Sequence, residues 1–232
     1  MLSTVLKLSE INLRYLFSLI LITLFFNIDT YSQILPSRFG VHTKKSSGGA
    51  GGDFSVDLAT IGNGIVLSNN NKTITSNLSS GSGCNWRSVY LSPPLSVNTG
   101  VKSYSVTVDS YQDAGGNGFD MVLGVVISNS GGDSFAFNPL NNGGVGGFGY
   151  VAQTGQKYGY SNCVAGNSNQ NYGASYGQGD VIKVEFDTDN KTLTFYKNNV
   201  SQGVAYTSGC FSGTTFHFAI TICNTNFTVT TD

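Results

Sequence analysis

Charged residues are scarce in this chain of 232 residues. Lysine and arginine number 12, aspartate and glutamate number 13, and together they are 11% of the sequence, with a formal net charge of −1. Proteins that bind nucleic acids need clustered basic side chains to neutralise phosphates. This chain has no such excess of positive charge, so we expect no nucleic-acid partner.

Residues that favour helices are also few. The chain is instead rich in valine, threonine, tyrosine, phenylalanine, asparagine and glycine, with 30 glycines in all. These types favour strands and tight turns over helices. Apolar residues make up 40% and aromatic residues 12% of the chain, which is enough for a buried core. The composition therefore predicts an all-β protein.

Metal-binding patterns are missing as well. The only histidines are His42 and His217, and no pair of cysteines has the C-x-x-C spacing of a zinc site. Asp187 and Asp189 begin a pattern similar to a calcium loop, but the glycine and glutamate that an EF-hand needs do not follow. We therefore expect no metal and no cofactor.

No apolar run is long enough to cross a membrane, which takes about 20 residues. The longest run, Tyr15–Phe26, follows Lys7 and Arg14 and precedes the small residues of Thr30-Tyr31-Ser32. This order is typical of a secretory signal peptide, which we place at residues 1–32. The mature chain is then secreted, at the cell surface or periplasmic, without a membrane span. An uncleaved N-terminal anchor is the alternative.

Two further segments follow the predicted signal peptide. Residues 33–52 are polar and end in a run of serine and glycine, which indicates a flexible linker. From residue 53 to residue 232, strand patterns recur about every ten residues between Gly, Asn and Ser turns. We interpret residues 53–232 as one all-β domain of the sandwich or barrel type.

Several strands can be placed by alternation. Apolar and polar residues alternate over 104–109 and over 182–187, so each strand turns one face to the core. Met121 to Ile127 is apolar on both faces, which predicts a central strand. Asp189-Asn190 and Asn198-Asn199 are predicted turns, because asparagine tolerates positive φ.

Four cysteines remain in the predicted mature chain: Cys84, Cys163, Cys210 and Cys223. An even number of cysteines in an exported protein favours disulfides, and four allow three pairings. The alternative is four buried thiols that act as small apolar residues. We predict at least one disulfide and leave the pairing open.

The chain also contains five N-x-S/T sequons, at Asn71, Asn77, Asn190, Asn199 and Asn226. In an exported eukaryotic protein, such asparagines accept glycans where they lie at the surface. Asn190 and Asn199 fall in predicted turns and are candidate acceptors. In a bacterial protein the sequons would carry little meaning.

A series of short motifs appears in a characteristic order in the second half of the chain. They are Phe148-Gly149-Tyr150, Gly179-Asp180-Val181-Ile182, Leu193-Thr194-Phe195-Tyr196-Lys197-Asn198 and Gly203-Val204-Ala205-Tyr206. This series resembles the SPRY domain family, and the resemblance covers residues 57–230. Upstream, Trp86-Arg87-Ser88-Val89 and Lys102-Ser103-Tyr104-Ser105-Val106 are similar to the family's early strands.

The resemblance implies a bent antiparallel β-sandwich of the concanavalin-like jelly-roll type. It also implies a binding surface on loops at one end, which recognises a protein or peptide segment. Tyr150, in the family's Trp-Gly-Tyr position, is the one binding residue that carries over. We therefore expect an exported recognition module that is not an enzyme.

The residues themselves suggest further binding candidates in or near predicted loops. Tyrosine offers a large contact area with few rotatable bonds and a polar tip. The tyrosines and phenylalanines so placed are Tyr111, Phe119, Phe148, Tyr150, Tyr158, Tyr160, Tyr172 and Tyr176. From these we select Tyr150, Tyr158 and Tyr160, and we add the polar Arg87 and Asp113. The alternative is that most of these tyrosines cover the core, with hydroxyls bonded to the backbone.

Two other functions are compatible with parts of the sequence. Loops rich in Tyr, Asn and Gly also suit a lectin-like adhesin that binds surface glycans. A glycan-active hydrolase using Glu185 and Asp187 is a distant third, because the usual third acid is missing and one tryptophan cannot line a sugar cleft. Gly173-Ala174-Ser175-Tyr176-Gly177 matches the nucleophile elbow, but a turn and a strand follow it instead of a helix.

Overall fold

The computed structural model describes residues 54–78, 85–111, 120–127, 132–133, 136–137, 146–159, 163, 169–223 and 227–232. The predicted signal peptide and linker lie outside these ranges. Within them, fifteen β-strands occur with two short 3-10 helices, Leu58–Thr60 and Ser208–Cys210. No helix in the described ranges is long and apolar enough to cross a membrane.

The strands are named in chain order. They are β1 (Ser55–Val56), β2 (Ile65–Ser68), β3 (Thr73–Ser76), β4 (Trp86–Ser92), β5 (Leu95–Ser96), β6 (Val101–Ser110), β7 (Met121–Val126), β8 (Gly147–Val151), β9 (Gln156–Gly159), β10 (Gln170–Asn171), β11 (Val181–Asp187), β12 (Thr192–Lys197), β13 (Val200–Tyr206), β14 (Thr215–Cys223) and β15 (Thr228–Thr231).

These strands form two antiparallel sheets. The first has the order β1-β4-β14-β7-β8-β9-β10, with β5 paired to β14, and the second has the order β13-β12-β11-β6-β15-β3-β2. Some neighbours in each sheet are far apart in sequence, as where β14 lies between β4 and β7. The predicted all-β sandwich is confirmed.

The main core lies between the two sheets. On β11, Ile182, Val184 and Phe186 are fully buried, while the residues between them are partly exposed. From the other sheet, β14 directs Phe218 and Ile220 into the same cluster. Burial of each such side chain stabilises the fold by about 1.5–3 kcal/mol, so alternation along the strands fixes which face turns inward.

Strand β7 is buried on both faces, as its continuous apolar sequence predicts. Leu123 and its alternate neighbours pack in the main core. Val122 and Val126 face the other way and pack with Tyr90 and Phe137 in a second, smaller cluster. The first sheet is therefore covered on its outer face too, which makes β7 the central strand.

One disulfide joins connections that follow strands of different sheets. Cys163 comes after β9 and Cys210 comes after β13, and their Cα atoms are 5.5 Å apart. Cys223, at the end of β14, is also disulfide-bonded. The prediction of at least one disulfide is confirmed, and the structure selects Cys163–Cys210 among the possible pairs. Cys84 lies outside the described residues.

The strand register sorts the connections to two opposite ends of the second sheet. Val181 pairs with Thr107 and Asp187 pairs with Val101. One end of the sheet therefore holds residues 110 and 181, and the opposite end holds residues 101 and 187. We call the first the Tyr111 end, since Tyr111 follows β6 there. The second is the Asp187 end.

Candidate functional site

A concavity of about 550 Å³ lies at the Tyr111 end, on the outward face of β2, β3 and β15. Its volume falls within the range of small ligand sites, about 300–1,000 Å³. We call it the Tyr111 concavity. Its lining consists of Val66, Thr75, Ser76, Asn77, Ser110, Tyr111, Gln178 and Thr228.

The floor of the concavity follows from strand alternation. On β3 and β15, Ile74 and Val229 point into the core and are fully buried. Their neighbours Thr75 and Thr228 are paired across the two strands and project outward. The two hydroxyl oxygens lie 3.3 Å apart. The floor is therefore a pair of hydroxyl groups held on a rigid sheet.

Tyr111 forms one wall and is held in place on two sides. Its ring meets Phe227 edge to face, with centroids 5.1 Å apart. Its hydroxyl donates to the Asp120 carboxylate at 3.2 Å. Buried Ser76 helps to fix Phe227, since its Oγ accepts the Phe227 N–H at 3.1 Å. The aromatic wall is thus pre-organised, which reduces the entropy lost on binding.

The chemistry of this lining is neutral and polar. Five of its side chains are hydroxyls and two are amides, and none of the eight carries a formal charge. Gln178 is exposed at the rim. Hydroxyls and amides both donate and accept hydrogen bonds, so the concavity matches a ligand that offers both. A peptide backbone and a sugar meet that requirement.

The structure places Tyr150 in the core. Its ring has no exposed area, and it packs against Tyr172, Tyr176 and Phe195 with centroids 4.9–5.4 Å apart. Its hydroxyl donates to the Ala174 carbonyl. Burial raises the pKa of Tyr150 well above its ordinary value. A ligand reaches this ring only if residues 172–176 move away from it. The contact between Tyr150 and a ligand therefore stays a prediction, and it requires this movement.

At several positions the tyrosines cover the core, which was the alternative interpretation of the sequence. Tyr176 is buried and donates to the Tyr150 carbonyl at 2.8 Å. Tyr172 donates to the Gly203 carbonyl, and burial raises its pKa to about 12. Tyr158, on β9, is half-buried against the outer cluster of the first sheet. Tyr160 lies outside the described residues.

Arg87 acts as a clasp between three segments. Its Nε donates to the Asn63 carbonyl at 2.8 Å, and its Nη1 donates to the Trp86 carbonyl at 2.8 Å. The guanidinium also pairs with Asp133 at 3.3 Å. These bonds join β4 to residues 63 and 133, so Arg87 Nε and Nη1 are both engaged within the fold. Asp113 lies outside the described residues.

The carboxylates considered for glycan hydrolysis are engaged in structural bonds. Glu185 pairs with Lys183 at 2.8 Å and accepts the Tyr196 hydroxyl at 2.9 Å. Hydrogen bonds from Asn190 hold the pKa of Asp187 below its ordinary value. A general acid needs the opposite shift. In the described part of the chain, no three His, Cys, Asp or Glu side chains converge on a metal position.

Sequence reasoning did not select Thr75, Thr228 or Gln178. Alternation alone indicates that Thr75 and Thr228 face outward, and that signal was present in the sequence. However, an outward threonine on a strand is common, and only the pairing of β3 with β15 brings these two hydroxyls together. Gln178 joins them from the turn before β11, and no local pattern predicts that this turn lies beside β3 and β15.

Comparison with known structures gives the same fold. The SPRY domain of human HERC1 matches with a TM-score of 0.54 and 18% identity, over 76% of this chain and 96% of that one. The TRIM65 PSpry domain matches with a TM-score of 0.53 and 15% identity, over 77% and 91%. Stonustoxin matches with a TM-score of 0.52 and 15% identity, over 77% of this chain and 27% of that one.

Sequence comparison then assigns the family. No curated protein sequence matches the chain. The sequence model of the SPRY domain family matches residues 101–230, more than half of the chain. SPRY domains are in general protein–protein interaction modules. With its two antiparallel sheets and this match, the chain belongs to the SPRY domain family.

Proposed function

We propose that this protein is an exported, non-catalytic recognition module that binds a protein or peptide segment at the Tyr111 end of its sandwich. The family match over residues 101–230 is the observation that carries the proposal, because SPRY domains generally bind proteins. Export rests on the N-terminal sequence pattern. The position of the site rests on the Tyr111 concavity.

The concavity suits an extended peptide for a physical reason. A peptide backbone presents alternating N–H and C=O groups, and burying them without partners costs free energy. The hydroxyls of Thr75 and Thr228 and the amide of Gln178 supply both donors and acceptors. The fixed ring of Tyr111 adds a flat apolar contact. No side chain in the lining selects for a charged ligand.

The same lining supports a second function, the lectin-like adhesin. Sugar hydroxyls also donate and accept hydrogen bonds, and a tyrosine ring stacks against the apolar face of a sugar. The neutral character of the concavity is the specific observation in favour of this alternative. A single experiment separates the two ligand classes.

That experiment uses residues 33–232, made in an oxidising compartment and labelled. Its binding is measured on cells or extracellular material from its natural setting, before and after treatment with protease or with periodate. We expect protease alone to abolish binding, which identifies a protein ligand. Loss with periodate alone identifies a glycan and replaces the peptide proposal with the adhesin.

A matched pair of variants locates the site. Gln178→Lys places a charge at the rim of the concavity. Within the described residues the Gln178 side chain makes no hydrogen bond, so the substitution breaks none. Ser212→Lys adds the same charge at an exposed residue near the Asp187 end. We expect Gln178→Lys to weaken binding about tenfold or more, since an unpaired charge is costly to desolvate. Equal effects of the two variants would move the site away from the concavity.

A further inference from the structure

Three of the five sequons, at Asn71, Asn190 and Asn199, lie at exposed hairpin turns. Asn71 lies between β2 and β3, and Asn199 lies between β12 and β13. Asn71 and Asn199 are both exposed, with φ of 64° and 66°. Asn71-Lys72-Thr73 and Asn199-Val200-Ser201 are complete sequons. A glycan on either turn projects into solvent and displaces no packed atom.

The side chains of Asn71 and Asn199 are also available. Within the described residues, neither Asn71 nor Asn199 makes a side-chain hydrogen bond. Asn190 differs, because its Nδ2 donates to the Asp187 carboxylate at 2.8 Å. Asn77 lines the Tyr111 concavity, where a glycan would fill the proposed binding site. Asn226 lies outside the described residues.

We propose that Asn71 and Asn199 are the N-glycan acceptors of this protein. The inference rests on the export that forms part of the proposed function. The donor is an oligosaccharide linked to a lipid pyrophosphate, and the host's membrane transferase catalyses the step. The Asn Nδ2 forms a bond to the anomeric carbon as the carbon–oxygen bond to pyrophosphate breaks. The pyrophosphate leaves with the bonding electrons, and one amide proton passes to a base.

The positions of these acceptors leave the proposed binding site open. Asn71 lies at the Asp187 end, the opposite end of the β2–β3 hairpin from the concavity. Asn199 lies at the Tyr111 end, but next to β13, and β13 and β2 are the two opposite edges of the second sheet. Glycans at Asn71 and Asn199 are therefore compatible with ligand binding.

The glycan at Asn199 has a further consequence for solubility. Asn199 directly precedes the edge strand β13, where Val200 and Val204 are 64% and 56% exposed. An exposed apolar edge strand invites pairing with another chain. A hydrated glycan beside Val200 shields that edge. Removing it is expected to increase self-association, whereas removing the glycan at Asn71 is not.

For the test, two versions of the protein are expressed in eukaryotic secretory cells. One is the full chain with its own N-terminal segment, and the other carries a host leader in place of residues 1–32. A glycosidase that converts each acceptor asparagine to aspartate marks the sites for peptide mass spectrometry. We expect marks at Asn71 and Asn199. Secreted protein without marks at these residues, or with marks only at Asn77 or Asn190, overturns the proposal.

Variants at the same turns control for folding. Asn71→Gln and Asn199→Gln are each expected to remove one glycan. Asn70→Gln changes the neighbouring exposed asparagine outside any sequon and is expected to remove none. Ser201→Thr preserves the sequon and is expected to retain the glycan at Asn199. If only the host-leader version is secreted, the export prediction fails while the acceptor assignment is still decided.

Discussion

Tyr150 illustrates how one hydroxyl is satisfied at the residue scale. The ring sits among three other aromatic side chains, and the hydroxyl reaches the Ala174 carbonyl. That bond holds the segment before β11 against β8. A buried tyrosine that loses its hydroxyl leaves the carbonyl without this partner, and the free energy of unfolding falls accordingly.

Tyr150→Phe is therefore expected to lower the free energy of unfolding by about 1 kcal/mol, because one partly buried hydrogen bond is lost. Denaturant titration measures it. The control is Tyr196→Phe, whose hydroxyl bonds Glu185 nearer the surface, and it is expected to cost less. Unchanged stability together with lost ligand binding would contradict the structural role and support Tyr150 as a ligand contact.

His217 on β14 provides a pH dependence. Its burial lowers its pKa from the ordinary value of 6.5, while the Asp57 carboxylate and a hydrogen bond with the Leu91 backbone oppose that shift. The unfolded chain then takes up a proton at a higher pH than the folded chain. The contribution of neutral His217 to stability is full above pH 6.5 and is lost as the pH falls from there through the pKa of folded His217.

We expect the unfolding temperature to fall as pH drops below 6.5, and His217→Gln to remove part of that fall. Thermal melts across pH 5 to 8 measure both curves. Asp180 and Asp187 have lowered pKa values and lose their contribution at more acidic pH, so they do not account for this window. Parallel curves for the two proteins would contradict the assignment to His217.

At the scale of the element, β13 shows how an edge strand is partly protected by side chains. The Gly203 N–H donates to the Ser201 hydroxyl at 3.1 Å, and its carbonyl accepts from Tyr172. The Val200 carbonyl accepts from Gln202 at 2.9 Å, and the Ala205 carbonyl accepts from Lys157 at 2.9 Å. Side chains thus occupy some backbone groups of β13, while Val200 and Val204 stay exposed, so this edge is only partly protected from pairing with another strand.

A substitution at Gly203, on β13, tests the effect of backbone conformation separately from that of side-chain packing. A Cβ at Gly203 would meet nothing within 4 Å, but its φ is +88°. Gly203→Ala is expected to lower the free energy of unfolding by about 1 kcal/mol or more, from backbone strain alone. Gly209→Ala is the matched control, because its Cβ is equally unhindered and its φ is not in that region. Equal stabilities of the two variants would contradict this explanation.

At the scale of the whole molecule, the Cys163–Cys210 disulfide links the two sheets. It joins the segment after β9 to the segment after β13, across 47 residues of sequence. A loop of that length loses substantial entropy in the unfolded chain when it is closed. The bridge therefore stabilises the sandwich chiefly by restricting the unfolded state.

The double variant Cys163→Ala/Cys210→Ala is expected to lower the free energy of unfolding by about 2–4 kcal/mol. Denaturant unfolding under oxidising conditions measures the change, and the disulfide of Cys223 remains as an internal control. Replacing both cysteines leaves no free thiol that would exchange with it. An unchanged unfolding midpoint would show that the Cys163–Cys210 disulfide does not stabilise the fold.

Much of the fold could be predicted from the sequence, because strand alternation is local. Ile182, Val184 and Phe186 are buried as their spacing requires, and β7 is central because both its faces are apolar. The turn asparagines Asn198 and Asn199 adopt positive φ, as predicted. The candidate site was predicted less well, since Thr75 and Thr228 carry no distinctive local signal.

By itself, the sequence determined the all-β class, the inward faces of its strands, its turns, its family and the presence of a disulfide. These properties depend on neighbouring residues or on short motifs. Only the tertiary structure decided that Cys163 pairs with Cys210, that Tyr150 is buried and that Arg87 is a clasp. Each depends on segments far apart in sequence, which only the order and register of the two sheets bring together.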